Sequence, residues 1–244
     1  MPNVFDVLLV LVFAALLPMW SHFVIWPRHV RAVDAGDERA RSRFYVRTMI
    51  EEWVPTVAAA VLCVIGRRSP DALWLAAPSG WRAWVGFAVP VLYVALVFVQ
   101  ARAIAASPKG LTRLRERLQP LRALIPHTPG EVRVFMPLAV TAGICEEFLF
   151  RGYLVWVLAF WVGVIPAAIV SMVAFGLAHG YQGGKFGFRA FGAGVLMGVL
   201  ALVTRSLLPG MLLHAVIDLG SGWVTYLAMR GGAEPAKAPN GVAA

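Results

Sequence analysis

AWVGFAVPVLYVALVFVQA, residues 83–101, runs for nineteen residues without one charged side chain. At 1.5 Å per residue an α-helix of that length spans about 28 Å, close to the ~30 Å of hydrocarbon in a bilayer. Working outward from it, comparable apolar blocks recur at roughly 5–27, 48–66, 134–158, 161–179, 189–205 and 207–229. The expected fold is therefore all-α: a polytopic membrane helix bundle of about seven transmembrane helices. The first block has Asp6 at its start, no basic stretch before it and no small-residue cleavage site after it, so it is expected to remain as a helix rather than be removed as a signal.

Composition agrees. Of 244 residues 59% are hydrophobic and 14% charged, and the mean hydropathy is +0.72, whereas a soluble domain carries about a quarter charged residues. The net charge of +9 would suit a nucleic-acid partner if it lay along one face. Instead the basic residues concentrate between apolar blocks, in RHVRAVDAGDERARSRFYVR (28–47) and in ARAIAASPKGLTRLRERLQPLRALIPHTPGEVR (101–133). They read as signals placing both segments in the cytoplasm, and no nucleic acid is expected as a partner. Within the second, LTRLRERLQPLRALI (111–125) fits either a basic amphipathic helix in the headgroup layer or a solvated loop. Tryptophans such as Trp20, Trp26, Trp81 and Trp84 fall near the ends of the blocks, as an aromatic belt requires. Cys63 and Cys145 lie in apolar stretches without metal-type spacing and read as buried thiols. The tail GGAEPAKAPNGVAA (231–244) is small, polar and proline-containing, and is expected to be disordered.

Function is sought where the bilayer should have rejected a residue. An ionisable side chain at mid-membrane costs about 2.5–3.5 kcal/mol on insertion scales, so each is a functional hypothesis. TAGICEEFLFRGYL (141–154) carries Glu146, Glu147 and Arg151; SMVAFGLAHG (171–180) carries His179; PGMLLHAVIDLG (209–220) carries His214 and Asp218. Glu147 and Arg151 stand at i and i+4 and share a helix face, which makes them a local ion pair, while Glu146 points about 100° away and is free for proton transfer. An equally simple reading of that pair is a lock between helices. His214 and Asp218 are also i and i+4, so the carboxylate can orient the imidazole. A carboxylate and two histidines from three helices could deprotonate a water for attack on a carbonyl. Glu146, His179, His214 and Asp218 would suffice for a divalent metal such as zinc, and would equally suffice to hold a water without metal. Counted along straight helices, however, Glu146 falls near mid-membrane, His179 near the inner face and His214 toward the outer half. Glu51 and Glu52, at the start of a block and near Arg47, read as interfacial and solvated. Gly194 and Gly198 form a GxxxG that suits close helix packing.

The spacing Glu146-Glu147-x-x-x-Arg151, then Phe175-x-x-x-His179, then His214-x-x-x-Asp218 resembles, in order, the three motifs of the CAAX prenyl endopeptidase and bacteriocin-processing intramembrane protease family. The resemblance covers about residues 130–220. It implies a membrane endopeptidase acting on a membrane-associated peptide or protein, in which Glu146 activates water, Glu147 and Arg151 shape the site and His179 helps hold the water or a metal. His214 would bind the water or the oxyanion, assisted by position 218, where the family more often has Asn. The expected organisation is 1–131 as N-terminal transmembrane helices with basic cytoplasmic loops, 132–230 as the protease core, and 231–244 as the tail. Two other classes fit a buried polar core: a non-enzymatic scaffold or bacteriocin immunity protein, and a proton-coupled transporter. An integral location, in the cell (inner) membrane, is expected.

Overall fold

The computed structural model describes residues 1–230; the tail 231–244, expected to be disordered, lies outside the described residues. Helix α1 spans Val4–Asp34. Asn3 starts it by a reciprocal cap, accepting from the amides of Phe5 and Asp6 while Asp6 accepts from the Asn3 amide at 2.7 Å. Pro18 and Pro27 would each clash with the carbonyl four residues back, and the helix widens into π-type turns at Val12–Leu16 and Ser21–Ile25, which contain those carbonyls.

Helix α2 spans Ala40–Ile65 and starts eight residues before the apolar block that announces it. The basic stretch 28–47 is thus mostly helix, turning only over 35–39. Ion pairs tie it to the second basic stretch, 101–133: Arg41 pairs with Glu131 at 3.3 Å, and Asp34 with Arg122 at 2.6 Å.

Helix α3 spans Trp81–Ala105, and its outward side chains, Val91, Leu92, Phe98 and Val99, are exposed in the manner of a lipid-facing surface. A short helix α4, Pro108–Leu118, is capped by Ser107, whose hydroxyl accepts from the Gly110 amide. Leu118, Leu121 and Ile125 pack on Ala228 and Met229, and Arg115 donates to the Ala228 carbonyl at 2.9 Å. Of the stretch 111–125, only the part up to Leu118 is α-helix; Gln119–Leu121 form a 3-10 turn and 122–125 leave helix, with the apolar side chains turned onto protein.

Helix α5 runs from Pro129–Glu146 through a π-type segment, Glu147–Leu154, into Val155–Val162. Thr128 and Glu131 form a capping box at its start. Helices α6 (Val164–Ala178), α7 (Gly184–Thr204) and α8 (Leu208–Met229) complete the bundle. Six of these rods, all but α4 and α5, are long and apolar enough to cross a membrane, α6 being counted with the turn that carries it on to Gln182. Helix α5 is a seventh rod of spanning length, about 50 Å, with three charged residues in its middle. No strand occurs among the described residues, and the chain is a bundle of about seven membrane helices.

Candidate active site in the bundle core

The six residues singled out from the sequence come together. Gly143 explains how α5 reaches α8: a Cβ there would stand 2.8 Å from both the Ala215 amide nitrogen and the Met211 carbonyl oxygen, so the two backbones touch and only hydrogen fits between them. One turn later Glu147, wholly buried, accepts from Arg151 Nη1 at 3.0 Å and faces His214 Nδ1 at 3.0 Å, both through Oε1. Arg151 also donates to the Gly194 carbonyl at 2.9 Å, and its guanidinium lies 4.0 Å from the Phe175 ring centroid. Gly194 permits this approach, because a Cβ there would meet Phe175 at 2.6 Å. The ion pair expected from the i, i+4 spacing is present, and it extends further, into a network joining α5, α7 and α8.

Glu146 faces the other way. Its Oε2 lies 3.8 Å from His179 Nε2 and 3.7 Å from His214 Nε2, and it has no hydrogen-bond partner although it is sealed from solvent. His179 Nδ1 lies 2.9 Å from the Phe175 carbonyl, a contact that requires Nδ1–H and turns Nε2 toward Glu146. Asp218 stands 3.6 Å from His214 Nε2. The partner that fixes His214 at Nδ1 is thus Glu147, from another helix, rather than Asp218 one turn away. Phe175 is the common wall, its ring centroid 4.4 Å from His179 and 5.9 Å from His214.

Straight-helix counting separated these residues; two features remove the conflict. Helices α5 and α6 form an antiparallel hairpin about Gly163, with Glu146 seventeen residues before it and His179 sixteen after, so the two meet at one level. Helix α8 begins inside the protein: Ser206 and Leu207 are fully buried, the Leu207 amide donates to the Trp74 carbonyl and the Ser206 hydroxyl to that of Ala76. His214 is therefore only two turns from a sunken start.

Glu52 corrects the sequence reading. Glu51 is partly exposed and paired with Arg47 at 2.6 Å, as an interfacial residue should be, but Glu52 turns into the cavity that Glu146 and His179 line, and its Oε2 is sealed and unpartnered. The signal was available: no cation stands within the next four turns of that helix. Asp6 was also passed over. It is buried, bridged by both Nη atoms of Arg68 at 2.5 and 2.7 Å, and it accepts from the Tyr153 hydroxyl. Cys63 and Cys145 are free and buried, as the sequence suggested. Among the described residues no three His, Cys, Asp or Glu side chains are arranged to hold one metal ion.

Residues 128–220 match the family described as Type II CAAX prenyl endopeptidase Rce1-like. No curated protein and no solved structure matches the chain. The matched stretch contains Glu146, Glu147, Arg151, Phe175, His179, His214 and Asp218. With its long apolar helices, the chain is an integral multi-pass membrane protein, and its residues 128–220 are similar to the CAAX-type intramembrane protease family.

Proposed function

We propose that the chain hydrolyses a peptide bond of a membrane-held substrate, such as a prenylated CAAX-like C-terminus, by means of a water activated by Glu146. The observation that carries this reading is the Glu146 carboxylate, whose Oε2 is sealed, has no hydrogen-bond partner, and is faced by the Nε2 atoms of two histidines from different helices. A water resting against Glu146 Oε2 and His179 Nε2 loses a proton to Glu146 as its oxygen bonds to the scissile carbonyl carbon. The carbonyl oxygen gains charge beside His214, whose protonated ring donates from Nε2 while Glu147 holds Nδ1–H. Glu146 then passes its proton to the departing amine as the C–N bond breaks. Glu147 and Arg151 position His214 and do not touch the substrate.

In this reading residues 132–230 form the protease core, 1–131 supply further helices and basic cytoplasmic segments, and the protein resides in the cell (inner) membrane. The donors present do not converge as ligands on one ion, and no step is routed through a metal. The test is cleavage of a panel of lipidated and membrane-anchored peptides by the purified full-length chain, with and without a chelator. Expected is cleavage abolished by Glu146→Gln and unaffected by chelation. Cleavage that survives Glu146→Gln, or none with any peptide, counts against the reading, and a variant that keeps full biological protection at normal abundance favours a scaffold or immunity protein.

A further inference from the structure

The cavity that opens on Glu146 has a volume of about 130 Å³, enough for one long side chain. Much of its wall comes from α1 and α2, at positions between 13 and 55, outside the stretch that matches the family. This wall carries Glu52. Its neighbour Glu51 is answered by Arg47, whereas the sealed Oε2 of Glu52 meets no donor among the described residues. A carboxylate oxygen removed from water without a donor is costly, and the cost is relieved by taking up a proton or by a cation, which keeps the carboxylate ionised.

The rest of the lining fits such an occupant. The acids are Glu51, Glu52 and Glu146, and the one basic lining side chain, His179, has its Nδ1 committed to Phe175 and its Nε2 toward Glu146. Phe13, Phe44, Phe150 and Tyr181 supply aromatic wall, against which an alkyl stem packs and a cation is attracted. We propose that Glu52 is a specificity-determining residue, selecting substrates that place a lysine or arginine side chain beside the scissile bond. This rests on the reading of Glu146 as the water-activating base in the same cavity, and it assigns the choice to a residue of α2, outside the matched stretch.

The experiment uses the full-length chain in detergent with pentylammonium, a lysine side-chain mimic, and 1-pentanol as its neutral counterpart, followed by thermal unfolding. Pentylammonium is expected to raise Tm by several degrees more than the alcohol in the unaltered chain, in Glu51→Gln and in Glu52→Asp, with most of the difference kept in Glu146→Gln. Glu52→Gln is expected to abolish it. Equal shifts for amine and alcohol, or an amine-specific shift that survives Glu52→Gln, overturn the proposal. Where a peptide is cleaved, lysine over norleucine next to the scissile bond is expected to raise kcat/KM about tenfold through KM, and Glu52→Gln to remove that preference. Because the Tm readout needs no turnover, an inert enzyme that keeps the amine-specific shift disproves the hydrolysis reading and leaves the cation site standing.

Discussion

Glu147 Oε1 and His214 Nδ1 stand 3.0 Å apart, which makes the carboxylate next to the proposed base the anchor of an imidazole on a different helix. Two adjacent glutamates are thereby given different tasks. Glu146 turns toward the cavity and Glu147 toward the packed interior, because one residue of helix rotates a side chain by about 100°.

Glu146→Gln is expected to lower turnover by about 100-fold or more while leaving detergent Tm unchanged, since the amide keeps the shape but accepts no proton. Turnover and thermal unfolding measured on the same preparation check this. A large fall in Tm would reassign Glu146 to structure.

Glu147→Gln is expected to cost stability, about 3 kcal/mol, by leaving Arg151 buried without its counter-charge. Arg151→Met together with Glu147→Gln removes both charges and should recover part of that loss, read as a coupling in a double-mutant cycle. Activity should not recover, because His214 Nδ1–H then faces a neutral amide oxygen in place of the carboxylate. A double variant no more stable than Glu147→Gln would dismiss the ion-pair assignment.

Asp6→Asn should destabilise the protein by about 3 kcal/mol although it is remote in sequence from every motif, since it strands the Arg68 guanidinium among buried groups. Tyr153→Phe, which removes one donor to Asp6, should cost about 1 kcal/mol. Thermal denaturation of the two variants is the measurement, and an unchanged midpoint for Asp6→Asn would show the bridge to be dispensable.

Gly143→Ala is expected to cost about 3 kcal/mol or more and to cut abundance, because the added methyl meets backbone of α8 rather than a movable side chain. Gly192→Ala is the control: nothing lies within 4 Å of a Cβ there, and stability should hold. Equal effects of the two changes would contradict the backbone contact.

His127, in the segment before α5, is held down to a pKa of about 4 by burial and by the charge of Arg41. Below its ordinary value near 6.5 the unfolded chain takes up a proton that the folded chain refuses until about pH 4. Stability should therefore fall as pH drops from 6.5 toward 4, and rise with pH over the same window. His127→Phe should flatten that slope in Tm measured against pH; a slope unchanged by the substitution would place the effect elsewhere.

The sequence by itself determined the class of fold and the identity of the polar core. Runs such as 83–101 can satisfy their backbone only as helices in lipid, and charged residues inside such runs are too costly to be incidental, which singled out Glu146, Glu147, Arg151, His179, His214 and Asp218. Periodicity within one helix also gave the Glu147–Arg151 pair. Tertiary structure decided what lies between helices. That His214 takes its Nδ1 partner from α5 instead of Asp218, that α8 starts below the surface under the Trp74–Ala76 segment, and that Glu52 lines the same cavity as Glu146 all depend on relative depth and rotation of rods. Those are set by close approaches such as Gly143 on Met211 and Ala215, contacts between residues some seventy positions apart, whose distance no local pattern encodes.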